Sequence, residues 1–160
     1  MIKSHINLKQ NLLILQAKRA PLFILSVLST VLFAFAVIPF SVLFFAITSG
    51  KGLHIGVFLS FGLCGLLGFY LLRLILWNAF GKEVYTFEKE TVIYYADYKW
   101  FKDNRKEFYA ENLIYKVVHT EEKLGFLQLN DGKTQHTSSL PVTIDELYKV
   151  IKDVESSSLP

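Results

Sequence analysis

Residues 21–47 read PLFILSVLSTVLFAFAVIPFSVLFFAI, and residues 53–76 read LHIGVFLSFGLCGLLGFYLLRLIL. Each run exceeds the roughly 20 apolar residues that carry a helix across a bilayer core. Only Thr48-Ser49-Gly50-Lys51-Gly52 separates them, so two antiparallel neighbouring helices are expected, over 21–47 and 53–77. No Asp or Glu occurs before Glu83. The chain therefore reads as an N-terminal segment (1–20), a transmembrane hairpin (21–77) and a water-soluble domain (78–160). The first run is too long for the 7–15-residue apolar core of a signal peptide, and a second run follows at once, so it reads as a retained span.

The formal charge of +3 is an average over two unlike parts. Residues 1–77 carry Lys3, Lys9, Lys18, Arg19, Lys51 and Arg73 and no acid; residues 78–160 carry 11 Lys and Arg against 14 Asp and Glu, a net of −3. A basic stripe on the soluble part would be needed for nucleic-acid binding, and none is apparent. Lysine and arginine near span ends set orientation. Lys3, Lys9, Lys18 and Arg19 precede the first span and Lys82 follows the second, whereas Lys51 alone lies in the connection. Both termini are expected in the cytoplasm of a multi-pass protein of the cytoplasmic (inner) membrane. Cys64, the single cysteine, has no partner for a disulfide, which fits a reducing compartment. Arg73 sits near the cytoplasmic end of its span, where its guanidinium can snorkel to the headgroups. Lys18, Arg19 and Arg73 thus read as interfacial charges.

In the second span Gly56, Ser60, Cys64 and Gly68 recur every four residues and share one helix face; Gly62 and Gly65 add thin surface. The first span offers Ser26, Thr30 and Ala34 at the same spacing, then Ser41. Small residues let helices approach closely in lipid. The two faces are expected to pack on each other; the sharper reading adds a partner helix from another subunit. Pro39 removes a backbone donor and is expected to kink the first span.

Past Trp77-Asn78 the pattern becomes short runs rich in Tyr, Phe, Val and Ile, read as strands at 83–88, 91–98, 105–109, 113–120, 124–130 and 133–140. Lys89-Glu90 makes a tight connection, and Asn130-Asp131-Gly132 supplies the positive φ of a hairpin turn. Thr143 and Glu146 form a capping box whose side chains are expected to meet free first-turn amides. Ile144, Leu147, Val150, Ile151 and Val154 then recur on one face of a helix over 144–155 that should close an open sheet or barrel. The tail from Ser156 reads as frayed. Asn11–Ala17 is short and apolar and runs into Lys18-Arg19. Read as a strand, it is an antiparallel neighbour of the strand that leaves the second span, and the helical hairpin becomes an insertion into a β-hairpin. The competing reading of residues 2–16 is an amphipathic surface helix.

Six strands and a capping helix, with a seventh strand at 11–17, come close to a pleckstrin-homology-like roll. The fold class is therefore α+β, with a two-helix transmembrane hairpin inserted in or attached to an antiparallel β-roll. The basic pair Lys18-Arg19, the two spans and the closing Leu76-Trp77-Asn78-Ala79-Phe80-Gly81-Lys82-Glu83 also resemble small bacterial membrane proteins with a pleckstrin-homology-like domain. That resemblance implies a fold and a topology and brings no catalytic residues. The chain departs from it in the aromatic and charged loop Lys99–Arg105.

The search for chemistry yields little. His119 and His136 fall on neighbouring strand regions with Glu121 and Glu122 near the first, but a metal site needs three or four converging ligands. Ser138-Ser139 lacks the Gly-x-Ser-x-Gly elbow, no phosphate-binding loop is present, and no cofactor is expected. The strongest surface candidate is Lys99-Trp100-Phe101-Lys102-Asp103-Asn104-Arg105, with Trp100, Phe101, Lys102 and Arg105 as contact residues. Its aromatics either meet a protein or the cytoplasmic leaflet, or fold back so that Trp100 clusters with Tyr94, Tyr98 and Tyr109. The expected function is a non-enzymatic docking or accessory subunit of a membrane complex, with lipid binding or membrane organisation as the alternative. The expected partners are membrane lipids and an integral-membrane protein or a second copy.

Overall fold

The computed structural model describes residues 5–9, 11–50, 52–121 and 123–157; Lys3, Lys51 and Glu122, which entered the readings above, lie outside them. The architecture is α+β, with three helices and two antiparallel sheets. The chain divides into two compact units, Met1–Lys18 with Phe80–Pro160, and Arg19–Ala79.

The second unit is a helix pair. Helices α1 (Leu22–Thr48) and α2 (Ile55–Phe80) are each long and apolar enough to cross a membrane. α1 runs through Pro39 as a single helix. Gly50 and Gly52 between the helices take φ of 67° and 66°, which glycine adopts without penalty. At the other end the Ala20 amide donates to the Asn78 carbonyl at 2.9 Å.

The packing faces differ from the sequence reading on one side. In α2, Cys64 and Gly68 are buried and Gly56 and Ser60 are half-buried, and Gly68 faces α1. In α1 the covered positions are Leu25, Leu28, Leu32, Phe35, Pro39, Val42, Leu43 and Ala46, while Ser26, Thr30 and Ala34 are exposed. Large side chains on one helix therefore meet small ones on the other. A Cβ at Gly68 would lie 3.7 Å from Leu32 and 3.8 Å from Phe35. Leu32 and Phe35 fill the space above Gly68, so the contact is knob against hollow, as close packing requires. Thr30 instead turns its hydroxyl onto the Ser26 carbonyl of its own helix, 3.0 Å away. Gly62 and Gly65 face open space, and Gly56 meets only its neighbour His54.

The first unit holds the sheets. Sheet A runs β1 (His5–Lys9), β2 (Leu12–Gln16), β3 (Lys82–Phe87), β4 (Thr91–Asp97) and β5 (Lys102–Tyr109) in that spatial order. Asn11–Ala17, read as a strand, holds β2, which pairs antiparallel with β3 from Leu12↔Thr86 to Gln16↔Lys82. The surface-helix alternative for residues 2–16 is replaced at His5–Lys9 by a further strand, β1, absent from the reading. Sheet B contains β6 (Ile114–Glu121), β7 (Leu124–Asn130) and β8 (Gln135–Thr137), with β9 (Val142–Thr143) also on β7. Helix α3 (Ile144–Ser157) packs on sheet B and reaches past the expected end at 155. The Thr143 hydroxyl donates to the Glu146 carboxylate, so the two cap side chains meet each other.

Alternation fixes the core. Leu13, Leu15, Tyr85, Val92, Tyr94, Ala96 and Phe108 of sheet A are buried, as are Leu127, Leu129 and Val142 of sheet B and Leu147, Val150 and Val154 of α3. Gly125 is required where β7 passes β6, because a Cβ there would sit 2.8 Å from Val117 Cγ1. Strand β8 is shorter than the expected 133–140, for a polar reason. Ser138 Oγ accepts from the Leu127 amide at 3.0 Å and donates to the Leu140 carbonyl at 3.3 Å, which turns the chain out of the ladder.

The helix packing gives a direct expectation. Gly68→Leu should destabilise the helix pair by about 1–2 kcal/mol, the scale of helix association in lipid, and Gly65→Leu should be close to neutral. Graded denaturation of the purified chain in detergent checks this, and equal losses at the two glycines would contradict the assigned face.

Candidate functional site

The segment Lys99–Arg105 is mostly strand, not loop. β5 begins at Lys102, leaving Lys99-Trp100 as the turn between Tyr98 and Phe101, whose backbones bond at 3.0 Å. The Lys99 amide donates to the Asp97 carboxylate at 2.7 Å. Lys99 takes φ 74°, a region disfavoured for a side chain. A second left-handed residue, Asn104 (φ 55°), sits where the β4–β5 register slips between Tyr94 and Ala96. This bulge gives β5 one extra residue and lets the strand start early; asparagine tolerates it better than most.

The aromatic cluster expected around Trp100 does not form. Phe101 folds back and stacks on Tyr98 with ring centroids 4.7 Å apart and planes 12° apart. Trp100 stands away from the sheet and is 70% exposed. Tyr94 belongs to the core, and Tyr109, at the far end of β5, lies under the Lys133 ammonium at 5.3 Å. A four-residue hairpin end cannot turn both adjacent aromatics onto one face, since successive side chains point to opposite sides. Lys102 is exposed, with its ammonium 4.5 Å above the Tyr95 ring. Arg105 is exposed and lies 3.9 Å from Glu107, a contact of little energetic weight at the surface.

The tip has a defined place in its unit. Lys82, Asp97 and Lys102 are cross-strand partners in one row, with Gln16 beyond Lys82. The Ala17 amide donates to the Gly81 carbonyl at 3.0 Å, and the Lys99 ammonium lies 4.4 Å over the Phe80 ring. The tip thus shares one end of sheet A with residues 17–18 and 80–82, where the chain leaves for the helices. Lys18 is exposed there; in the helix unit Arg19 is exposed and Arg73 is half-buried on α2.

Sequence reasoning missed a buried polar cluster. Glu83 is 0% exposed. One carboxylate oxygen accepts from the Ser139 amide at 2.8 Å and from the Ser139 hydroxyl at 2.7 Å. Tyr85 leans its hydroxyl on the other oxygen at 3.5 Å. Burial raises the Glu83 carboxyl above the ordinary range, and the bonds from Ser139 oppose that rise. Burial and then the neighbouring Glu83 raise the Tyr85 and Tyr94 hydroxyls. The His136 ring lies against Tyr94, tilted by 35° with centroids 3.8 Å apart, and its buried Nε2 has no hydrogen-bond partner among the described residues. Burial, helped by Lys106, lowers it to about 4. The available signal was the alternation Glu83-Val84-Tyr85: a carboxylate in phase with a core tyrosine points inward.

A second carboxylate works between the sheets. Asp131, in the β7–β8 turn, accepts from the Thr134, Lys133 and Tyr109 amides at 2.6, 2.9 and 3.1 Å. These bonds, Thr134 first, hold it below the usual carboxylate range. Gly132 completes the expected turn with φ 84°.

The two candidate metal histidines are not on neighbouring strands. His119 lies on β6 opposite Gly125, and His136 on β8 opposite Leu129. Strand β7 stands between them, and their partners are four residues apart on it, about 13 Å at 3.3 Å per residue. Among the described residues no three His, Cys, Asp or Glu side chains gather as a metal site would require. No protein family, curated protein or solved structure matches the chain.

The cluster sets a pH dependence. His136 is neutral when folded and titrates near its ordinary value when unfolded, so below about pH 6.5 the unfolded chain binds the extra proton. Its contribution is complete above that pH and is lost as pH falls toward about 4, by up to about 3 kcal/mol. Glu83, raised, acts in the opposite sense, so the readout is a difference. Unfolding of the wild-type chain and of His136→Phe between pH 4 and 7 should show the variant gaining relative stability as pH falls. A pH-independent difference would contradict the assignment.

Proposed function

We propose that this chain is a non-enzymatic inner-membrane protein in which α1 and α2 cross the bilayer as a hairpin and a pleckstrin-homology-like module stands at the cytoplasmic face. In this reading it serves as a docking or accessory subunit of a larger membrane complex. The observation that carries the proposal is the pairing of β2 with β3. The chain passes from β2 to α1 across five residues and returns from α2 to β3 across Gly81 alone, so two short connections join the module to the helices. A module joined by two short connections stays near the membrane that the helices cross, which suits a docking role.

Several features support the finer reading. Strands β2 to β8 make seven, followed by the helix α3, which is the inventory of a pleckstrin-homology-like roll; β1 and β9 are additions. Helices of 27 and 26 residues are about 40 Å long at 1.5 Å per residue, enough for a core of about 30 Å. The positions of Lys18, Arg19 and Lys82 favour cytoplasmic termini. For the docking role, β6 pairs only with β7 among the described strands and exposes Ile114 and Val118 on its outer face. An open strand edge of this kind accepts another strand. The buried Glu83 and His136 are an unsuitable catalytic pair, because a fully covered carboxylate cannot meet a substrate.

Two measurements test the reading. In a Cys64→Ala background, a membrane-impermeant thiol reagent added to intact cells should label Lys51→Cys and leave Lys149→Cys unlabelled until the cells are opened. A membrane protein should co-purify in mild detergent and be lost from Ile114→Lys/Val118→Lys while the chain stays folded. Labelling of position 149 from outside would overturn the topology, and recovery of the same partner from the double variant would overturn the docking edge.

A further inference from the structure

We propose that Trp100, at the β4–β5 tip, is seated in the headgroup layer of the same bilayer that α1 and α2 cross, so that the module is held to the membrane at a third point besides its two chain crossings. This rests on the reading that the helices span a membrane. The geometry comes from the β unit itself. The tip shares one end of sheet A with the crossings, and Lys99 lies 4.4 Å over Phe80. Phe80 is the last residue of α2, four past Leu76 where the apolar run ends, about 6 Å at 1.5 Å per residue. The polar layer of each leaflet is roughly 5–8 Å deep beyond the hydrocarbon. Phe80 therefore falls within that layer, and the turn that touches it does too.

The side chains suit that environment. Trp100 is 70% exposed while its neighbour Phe101 is stacked away on Tyr98, so the turn presents a single indole outward. Tryptophan favours the membrane–water interface because its ring is apolar and its N–H is wet. Basic groups surround it. Lys18, Lys82, Lys99 and Lys102 lie at this end of sheet A against Asp97 and Asp103. The acidic turn Glu88-Lys89-Glu90 joins β3 to β4 at their opposite end, about 20 Å away at 3.3 Å per residue. The net −3 of residues 78–160 thus hides a dipolar module whose basic end is the one from which the chain leaves for α1 and to which it returns from α2. Anionic headgroups attract that end and repel the other.

The chain contains two tryptophans, Trp77 in α2 and Trp100, so each can be made the sole reporter. The full-length chain is reconstituted in phosphatidylcholine–phosphatidylglycerol vesicles containing lipids brominated at shallow or deep acyl positions. In Trp77→Phe, the Trp100 emission should be blue-shifted relative to water and lose more intensity to shallow bromines than to deep ones. In Trp100→Phe, Trp77 should be quenched by brominated lipid as a spanning helix requires. Quenching of Trp77 with Trp100 open to aqueous acrylamide would overturn the tip proposal alone. Failure of both tryptophans to respond to brominated lipid would overturn the spanning reading with it. A Trp100 reached by neither bromine nor acrylamide would mean a protein cover, a second copy in the purified system, and would also overturn the lipid seat. Should Trp77→Phe not fold, Trp100→Cys in the Cys64→Ala chain carries a nitroxide instead. Greater relaxation by oxygen than by a water-soluble nickel complex supports the seat, and the reverse overturns it.

Discussion

The β2–β3 ladder is the constraint on which the rest of the structure depends. Residues 12–16 and 82–86 are separated by two long apolar helices, yet they pair in register along their whole length. The pairing brings Leu13 opposite Tyr85 and Leu15 opposite Glu83, which places the core face of sheet A. Closing a connection of this length costs only slightly more entropy than a short one when the insert folds on itself and returns its ends together. The helix pair does so through the Ala20–Asn78 bond, and the ladder then continues at Ala17–Gly81. A one-residue slip of β2 against β3 would turn Leu13 and Leu15 away from the face that holds Tyr85 and Glu83.

The two sheets share no strand ladder among the described residues, so side chains must stitch them. Glu83 does this through Ser139, and Asp131 through the Tyr109 amide. Each carboxylate gains two or more donors, which is what makes burying it tolerable. The contrast between them is informative. Asp131 has enough amides to favour its charge, whereas at Glu83 desolvation outweighs the donors. Lying against Tyr94, His136 adds a neutral ring to the same cluster. These polar contacts fix the relation of the sheets at the cost of sensitivity to protonation, and they leave the surface free for contacts with other molecules.

Much of this was legible in the sequence where a period or a turn was strong. The two apolar runs announced α1 and α2, the Asp-Gly turn announced the β7–β8 hairpin, and the apolar face from Leu147 to Val154 announced α3. What escaped had weak local signals. Strand β1, His-Ile-Asn-Leu-Lys, does alternate, but over five residues with two apolar positions that pattern did not displace the surface-helix alternative, and the early start of β5 depends on a bulge at Asn104. The packing face of α1 was misplaced because small residues can line either a close contact or an open side; only the opposing Leu32 and Phe35 decide. Of the candidate tip, the exposure of Trp100 was readable as an alternative, but the sharing of roles between Trp100 and Phe101 depends on the turn itself. The Glu83 cluster was hidden because its partner Ser139 lies 56 positions away.

The apolar helices are inserted within a β-hairpin, and one cross-link tests that insertion. Ile14 and Val84 are direct register partners in β2 and β3. With Cys64 replaced by Ala, the pair Ile14→Cys/Val84→Cys should form a disulfide readily on mild oxidation of the membrane-reconstituted chain. The control pair Leu13→Cys/Val84→Cys places its thiols on opposite faces of the sheet and should not. A folded chain in which the Ile14–Val84 pair stays reduced, or in which both pairs oxidise alike, would contradict the account.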